Sequence, residues 1–274
     1  RSKRSESKLG LLIAKIEELD MQHLELEPKC RSYKLRERYW NGEHNQYLVS
    51  KVLVGSGEPT LVGKAVDFAT VLDETPPVIQ PMDLIAGVMA VRPAEGSSIN
   101  LGHYDGHYTP GHANLIRLGY TGIRNRAKEK LIGESEPSKQ DFLEATVLSY
   151  DAACAFAEKH ALYAEALARE TSDSERQAEL MRIAEACYQI AIGPPDSFHA
   201  GLQMMWFTFM YGGRGSIGRF DQWMYPLYKR DIESGRLTHE QAQELLENYF
   251  IKLNYFAGNN DSLRNIALAG QTPE

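Results

Sequence analysis

Between Lys139 and Ile192 the chain carries its strongest periodic pattern, and this stretch limits the possible folds more than any other. Phe142, Ala145, Leu148, Ala152, Ala155 and Phe156 recur at spacings that place apolar side chains on one face of a helix. The pattern predicts that this helix runs on through Leu162 and Leu167. It should break at Ser172-Asp173-Ser174, residues whose side chains accept hydrogen bonds from the free N–H groups of a new helix. A second helix is expected through Leu180, Ile183, Ala184 and Cys187 to Ile190, ended by Gly193-Pro194-Pro195-Asp196.

Further signals fill in the remainder. Asp196 or Ser197 can cap a third helix that starts at Phe198 and includes Leu202, Met205 and Trp206. Thr238-His239-Glu240-Gln241 reads as a capping box, with Thr238 as N-cap and a helix through Ala242, Leu245, Leu246 and Phe250 to Leu253. Leu9, Leu12, Ile16 and Leu19 predict an amphipathic helix over Leu9–Leu26, stopped by Pro28. Asp83–Val91 is a short apolar run rich in branched residues and is expected to be a buried strand. Ile266–Gly270 is expected to be a final short strand. Helices dominate and strands are few and separated, so the fold class is α/β and helix-rich.

Bulk properties exclude several functions. A net charge of -7 does not suit a nucleic-acid-binding surface, which needs a basic excess. The apolar stretch Gly201–Tyr211 is too short to span a bilayer, so no membrane span is expected. Arg1-Ser2-Lys3-Arg4 opens a charged segment with no signal-peptide core, and no initiator methionine precedes it. Cys30, Cys154 and Cys187 are far apart and form no CxxC pair, which fits a reducing, cytoplasmic setting and buried small side chains.

Two local patterns invite sharper readings. His103, Asp105, His107 and His112 sit in a glycine- and proline-rich loop, Pro93–Gly111 and its exit. Such side chains can bind zinc or iron, but a loop gives them no common face, so no metal is expected. Gly213-Arg214-Gly215-Ser216-Ile217-Gly218 fits GxGxxG, a weak signal unless a strand precedes it and a long helix follows. Pro226 is expected to interrupt the following segment, which argues against a dinucleotide site. Arg219 and Asp221 are read as a structural salt bridge, and Trp206, Phe207, Phe209, Trp223, Tyr225 and Tyr228 as packing residues.

Four ordered stretches carry a family likeness: Pro81-Met82-Asp83-Leu84-Ile85-Ala86-Gly87; Gly106-His107-Tyr108-Thr109-Pro110 with Gly119-Tyr120-Thr121-Gly122-Ile123; Pro195-Asp196-Ser197-Phe198-His199 through Phe207; and Gly218-Arg219-Phe220-Asp221-Gln222 through Tyr228 and on to Lys252-Leu253. Together they resemble the N-terminal portion of the glycyl radical enzymes, the pyruvate formate-lyase-like (PFL) family. Two departures stand out: that family more often has Glu at the position of Asp83, and Glu-Ala at Ala200-Gly201.

The resemblance implies a barrel of two half-barrels surrounded by helices, with residues 1–274 supplying part of the first half. It implies a lyase or dehydratase that acts on a small molecule by thiyl-radical hydrogen abstraction. His107 would be catalytic, acting on a leaving hydroxyl, and Ser216 would lie at the substrate. None of the three cysteines starts a Cys-x-Glu motif, and no radical-glycine motif occurs, so the chain alone is expected to be an incomplete catalyst that binds no cofactor itself. The radical would be installed elsewhere in the protein by a radical S-adenosylmethionine activase. The expected partners are therefore that activating enzyme, a small-molecule substrate, and a like copy or a complementing C-terminal chain. Two other readings stay open: a non-catalytic scaffold that binds a partner chain, and a metal-dependent hydrolase built on the His103–His112 loop.

Overall fold

The structure, a computed structural model, describes residues 30–101, 111–211 and 217–257. The expected helix Leu9–Leu26 and strand Ile266–Gly270 lie outside the described residues. In chain order the elements are α1 (Arg31–Trp40), a 3₁₀ turn (Glu43–Tyr47), β1 (Val49–Lys51), α2 (Leu61–Glu74), β2 (Val91–Pro93), α3 (His112–Leu131), α4 (Pro137–Glu170), α5 (Ser174–Ile192), α6 (Phe198–Tyr211), α7 (Phe220–Glu233) and α8 (His239–Ala257).

The two long helices form where the periodicity puts them, and α4 and α5 make the most extensive helix pair. Asp173 caps α5, accepting from Glu175 N at 2.9 Å and Arg176 N at 3.2 Å. The buried face of α4 matches the expected one only in part, at Phe156. Phe142 is 59% exposed and Leu148 36%, and Ala155 also faces solvent. The covered stripe is Leu143, Cys154, Phe156, Ala157, His160, Ala161, Ala164 and Ala168. Large apolar side chains dominate a hydrophobicity pattern, but small ones let two helix backbones approach closely, and packing followed the alanines.

Helix α6 lies at the centre of the main core. Phe198, Leu202, Met204, Met205, Trp206, Phe209 and Met210 are all buried, as befits a helix that is apolar on nearly every side. Its first turn is served from two sides: Ser197 Oγ accepts from Ala200 N at 3.1 Å, and Asp231 Oδ2 accepts from Phe198 N at 2.7 Å. The capping box of α8 forms as expected, with Gln241 N donating to Thr238 Oγ1 and Thr238 N donating to Gln241 Oε1. In α3 the helical backbone breaks at Gly119 (φ 66°, ψ 176°), where a Cβ would lie 2.6 Å from the Gly193 carbonyl oxygen.

The expected strand Asp83–Val91 is corrected. Only its last residue enters β2, which pairs parallel with β1 in the register Val49↔Val91. Residues 83–88 are buried without a strand neighbour, because side chains rather than another strand satisfy their backbone. Pro226 likewise does not interrupt the segment after Gly218; it sits inside the continuous helix α7. The helix-rich α/β expectation holds. The described residues contain a single two-stranded parallel sheet and do not themselves display the expected half-barrel.

Candidate functional site

The segment Gln80–Gly87, buried except at Pro81 and Met82, is a polar hub among the described residues. Arg176 donates to the Asp83 carbonyl at 2.8 Å and to that of Gln80 at 3.2 Å. His199 Nε2 donates to the Leu84 carbonyl at 2.6 Å. Gln203 grips Ala86 from both sides, accepting its N–H at 2.8 Å and donating to its carbonyl at 3.0 Å. Trp206 Nε1 donates to the Gly87 carbonyl at 2.9 Å. Met82 takes φ 70°, a left-handed conformation that costs a side-chain-bearing residue energy and persists only where its surroundings hold it.

Lys252 closes the hub from α8. Its ammonium is fully buried and donates to Asp83 Oδ2 at 3.0 Å, Tyr39 Oη at 3.0 Å and the Gly87 carbonyl at 3.2 Å. Gln80 Nε2 donates to the same Tyr39 oxygen at 2.8 Å. Burial pulls the Lys252 ammonium below its ordinary range, and the Asp83 carboxylate offsets only part of that. Such a pair is weak evidence of net stability, but removing one partner costs about 3–5 kcal/mol because it strands a buried charge. Beside it, Glu179 receives Arg31 and Arg176 together. Burial alone would raise the Glu179 carboxyl, and the two guanidinium groups outweigh burial and hold it below its usual range. Sequence reasoning missed Lys252. Its signal was its phase: Ala242, Leu245, Tyr249 and Lys252 share the buried face of α8.

Two clefts adjoin this framework. The first, of about 380 Å³, lies between α2, α4 and α6 and is walled by Phe68, Tyr150, Phe156, Phe207 and Tyr211. The second, of about 400 Å³, lies between α3, α4 and α6 and is lined by Leu115, Ile123, Arg126, Lys130 and Leu143. Thr146, Tyr150 and Thr208 border both. Tyr120 Oη, which donates to the Met204 carbonyl at 3.3 Å, lies 3.0 Å from Thr208 Oγ1. Burial pushes the Tyr120 and Tyr211 hydroxyls well above their usual range, so both are neutral. A larger depression of about 660 Å³ between α7 and α8 shares no lining residue with either cleft; there Tyr228 Oη meets His239 Nδ1 at 2.8 Å.

His107 and Ser216 lie outside the described residues, as do His103, Asp105 and most of the GxGxxG stretch. Their flanks are described. Leu101, which precedes the His107 loop, and Tyr211, which precedes the Ser216 loop, line the same first cleft. Gly111 and His112, which follow the His107 loop, line the second. His112 itself is buried, with its ring 5.9 Å from Trp223. Among the described residues no group of three or more His, Cys, Asp or Glu side chains could hold a metal ion. Arg219 forms the expected two-pronged bridge to Asp221, at 3.1 Å in both contacts. Of the expected packing aromatics only Tyr225 is exposed.

Cys154 and Cys187 are buried and burial raises both thiols, while the Cys30 sulfur accepts from Tyr33 N at the start of α1. Cys154 and Cys187 pack into the main hydrophobic core.

The fold is shared with solved glycyl radical enzymes. One such match is the B12-independent glycerol dehydratase of Clostridium butyricum in its glycerol-bound form, with TM-score 0.66 and 23% identity, covering 82% of this chain and 39% of that one. The chain belongs to the pyruvate formate lyase-like family, whose model matches residues 98–274. It is 36% identical over 149 residues to the isethionate sulfite-lyase of Oleidesulfovibrio alaskensis, covering 50% of this chain and 18% of that protein. It is 31% identical over 192 residues to the (2S)-3-sulfopropanediol dehydratase of Klebsiella oxytoca, covering 63% and 23%. The chain thus spans less than a quarter of the length of these curated relatives.

Proposed function

We propose that this chain is the N-terminal portion of a cytoplasmic glycyl radical lyase or dehydratase that eliminates a group from a small organic substrate. The observation that carries this reading is the family match over residues 98–274, with a sulfite-lyase and a dehydratase among the relatives. The glycyl radical, when present, supplies hydrogen abstraction through a thiyl cysteine, and no cysteine of this chain starts the Cys-x-Glu motif of that role. Residues of this chain bind, orient and move protons. His107 delivers a proton to the departing group, a task suited to an imidazole near neutral pH. Ser216 hydrogen-bonds the substrate. The shared first cleft at Leu101 and Tyr211 supports the idea that the two loops work at one place. A radical S-adenosylmethionine activase is the required partner, and a like copy or a complementing C-terminal chain completes the assembly.

The test uses the full-length protein, its activase, S-adenosylmethionine and a reductant without oxygen. The expected result is a glycyl doublet by electron paramagnetic resonance, with turnover of a small hydroxylated substrate. His107→Ala should leave the doublet intact and lower turnover roughly 10²–10⁴-fold. Full turnover in the variant removes His107 from the mechanism. Absence of a doublet removes the radical reading.

A further inference from the structure

Asp67 is a buried carboxylate on α2 that holds two other segments of the chain at once. Its Oδ1 accepts from Ser56 N at 2.5 Å and its Oδ2 from Asn100 N at 2.6 Å. Hydrogen bonds to an ionised acceptor are roughly twice as strong as neutral ones. The two segments are also fastened to each other. Leu53 N donates to Ser97 Oγ at 3.0 Å, Gly55 N donates to Ser98 Oγ at 2.7 Å, and Ser98 N donates to the Leu53 carbonyl at 3.0 Å. They approach so closely that a Cβ on Gly55 would lie 2.4 Å from the Ser98 carbonyl oxygen. Strand pairing does not reach this far, since β1 ends at Lys51 and β2 at Pro93. An apolar side chain at position 67 would hold the second segment against α2. A carboxylate bonded to one amide does more, because hydrogen-bond geometry fixes where that amide sits. The residue after Asn100 is Leu101, which lines the first cleft, and the chain then runs on to His107.

We propose that Asp67 is a positioning residue for the reaction. It fixes the backbone at Asn100, and with it the stem, Ser97–Leu101, that brings the chain to the cleft wall ahead of His107. Asp67 acts through this stem and not on the substrate. The inference rests on the lyase or dehydratase reading above.

The test compares the full-length activated protein with its Asp67→Asn variant, in which an amide NH₂ replaces one of the two accepting oxygens. Three quantities are read: the glycyl doublet, kcat and KM separately, and hydrogen exchange at the Asn100 amide. The doublet should be unchanged and KM should stay within a factor of two, roughly. kcat should fall roughly 10²-fold, the order expected when a reacting group is misplaced by about 1 Å. The Asn100 amide should exchange roughly tenfold faster or more, as a charge-assisted bond is lost. Ser98→Ala, which loosens the same stem from its other side, should show the same pattern more weakly and serves if Asp67→Asn folds poorly. Asp173→Asn is the control for stability alone: its carboxylate also accepts two backbone N–H groups, at the start of α5. It should lower the melting temperature and leave kcat as it was. Unaltered exchange at Asn100 overturns the inference, and so does faster exchange with unaltered kcat. A loss of kcat in Asp173→Asn as large as in Asp67→Asn overturns it too, by showing that lost stability is the cause. Failure of the radical reading has a different signature: the parent protein then shows no doublet, and the positioning role falls with it whatever Asn100 does.

Discussion

His160 shows how burial alone gives a single side chain a measurable role. It is fully buried on α4, its Nδ1–H donates to the Phe156 carbonyl at 2.9 Å, and its ring lies 4.2 Å from Phe156 and 4.8 Å from Phe207. Burial holds its pKa at about 3. The unfolded chain takes up the proton near the ordinary histidine value while the native state refuses it, so this group's contribution is constant above that value and stability declines as pH falls. From about pH 7 to about pH 5 the loss is about 2 kcal/mol for this histidine. His199, lowered to about 4, adds to the same decline. Urea unfolding at the two pH values should show the loss, and His160→Phe should remove its share; an equally steep decline in that variant would show that other groups cause it. Nothing in the neighbouring sequence marks His160 as neutral, because the rings that surround it come partly from α6. Lys252, although missed, carries a signal in its own helix, since it falls on the buried face set by Ala242, Leu245 and Tyr249.

The helices were readable where the signal is local and misread where it is not. The capping residues Asp173 and Thr238 act on N–H groups two or three positions away, and both helices start where expected. The face of α4 depends on its partner α5, so its own pattern placed Phe156 correctly and Phe142 and Leu148 not. The strand expected at Asp83–Val91 failed for a similar reason: a short apolar run shows that a segment is buried, not what satisfies its backbone. Two glycines separate backbone constraint from packing. At Gly119 a Cβ would meet the backbone of Gly193 and Pro194 at 2.6–2.7 Å, in a left-handed conformation. At Gly201, inside α6, it would meet the ends of Leu227 and Met224 at 2.6–2.9 Å. Gly119→Ala should therefore destabilise by at least about 2 kcal/mol. Gly201→Ala should stay within about 1 kcal/mol of the parent, because the gain in helix propensity offsets the shift of two flexible side chains. Chemical denaturation midpoints in the reverse order would refute this account.

For the molecule as a whole, four ordered motifs were enough to place the chain in its family, and the family match now covers the last three of them. The candidate site was readable only as residue types, since His107 and Ser216 fall outside the described residues; only the residues that precede the two loops, Leu101 and Tyr211, share a cleft. The open side of the sheet also has a consequence. Among the described residues β1 pairs only with β2, and Val49 in it and Val52 and Val54 just after it are 48%, 59% and 80% exposed. Residues 1–274 produced alone should bind a hydrophobic dye and self-associate in sedimentation, as unpaired apolar edges do. Val52→Lys with Val54→Lys should reduce both without lowering the melting temperature; a dye-negative monomeric parent would contradict the expectation. A last consequence concerns time. The carboxylate of Asp83 is neutralised by an ammonium that lies 169 positions later in the chain. On a ribosome adding roughly 5–20 residues per second, that partner emerges on the order of ten seconds after Asp83. Protease pulses on stalled nascent chains should find the segment around Met82 cleavable until Lys252 has left the exit tunnel, and protection before that point would mean the hub closes without it. Until then the region that the mature protein fixes most firmly is its most vulnerable, and a chaperone that shields it would do so for one interval of synthesis only.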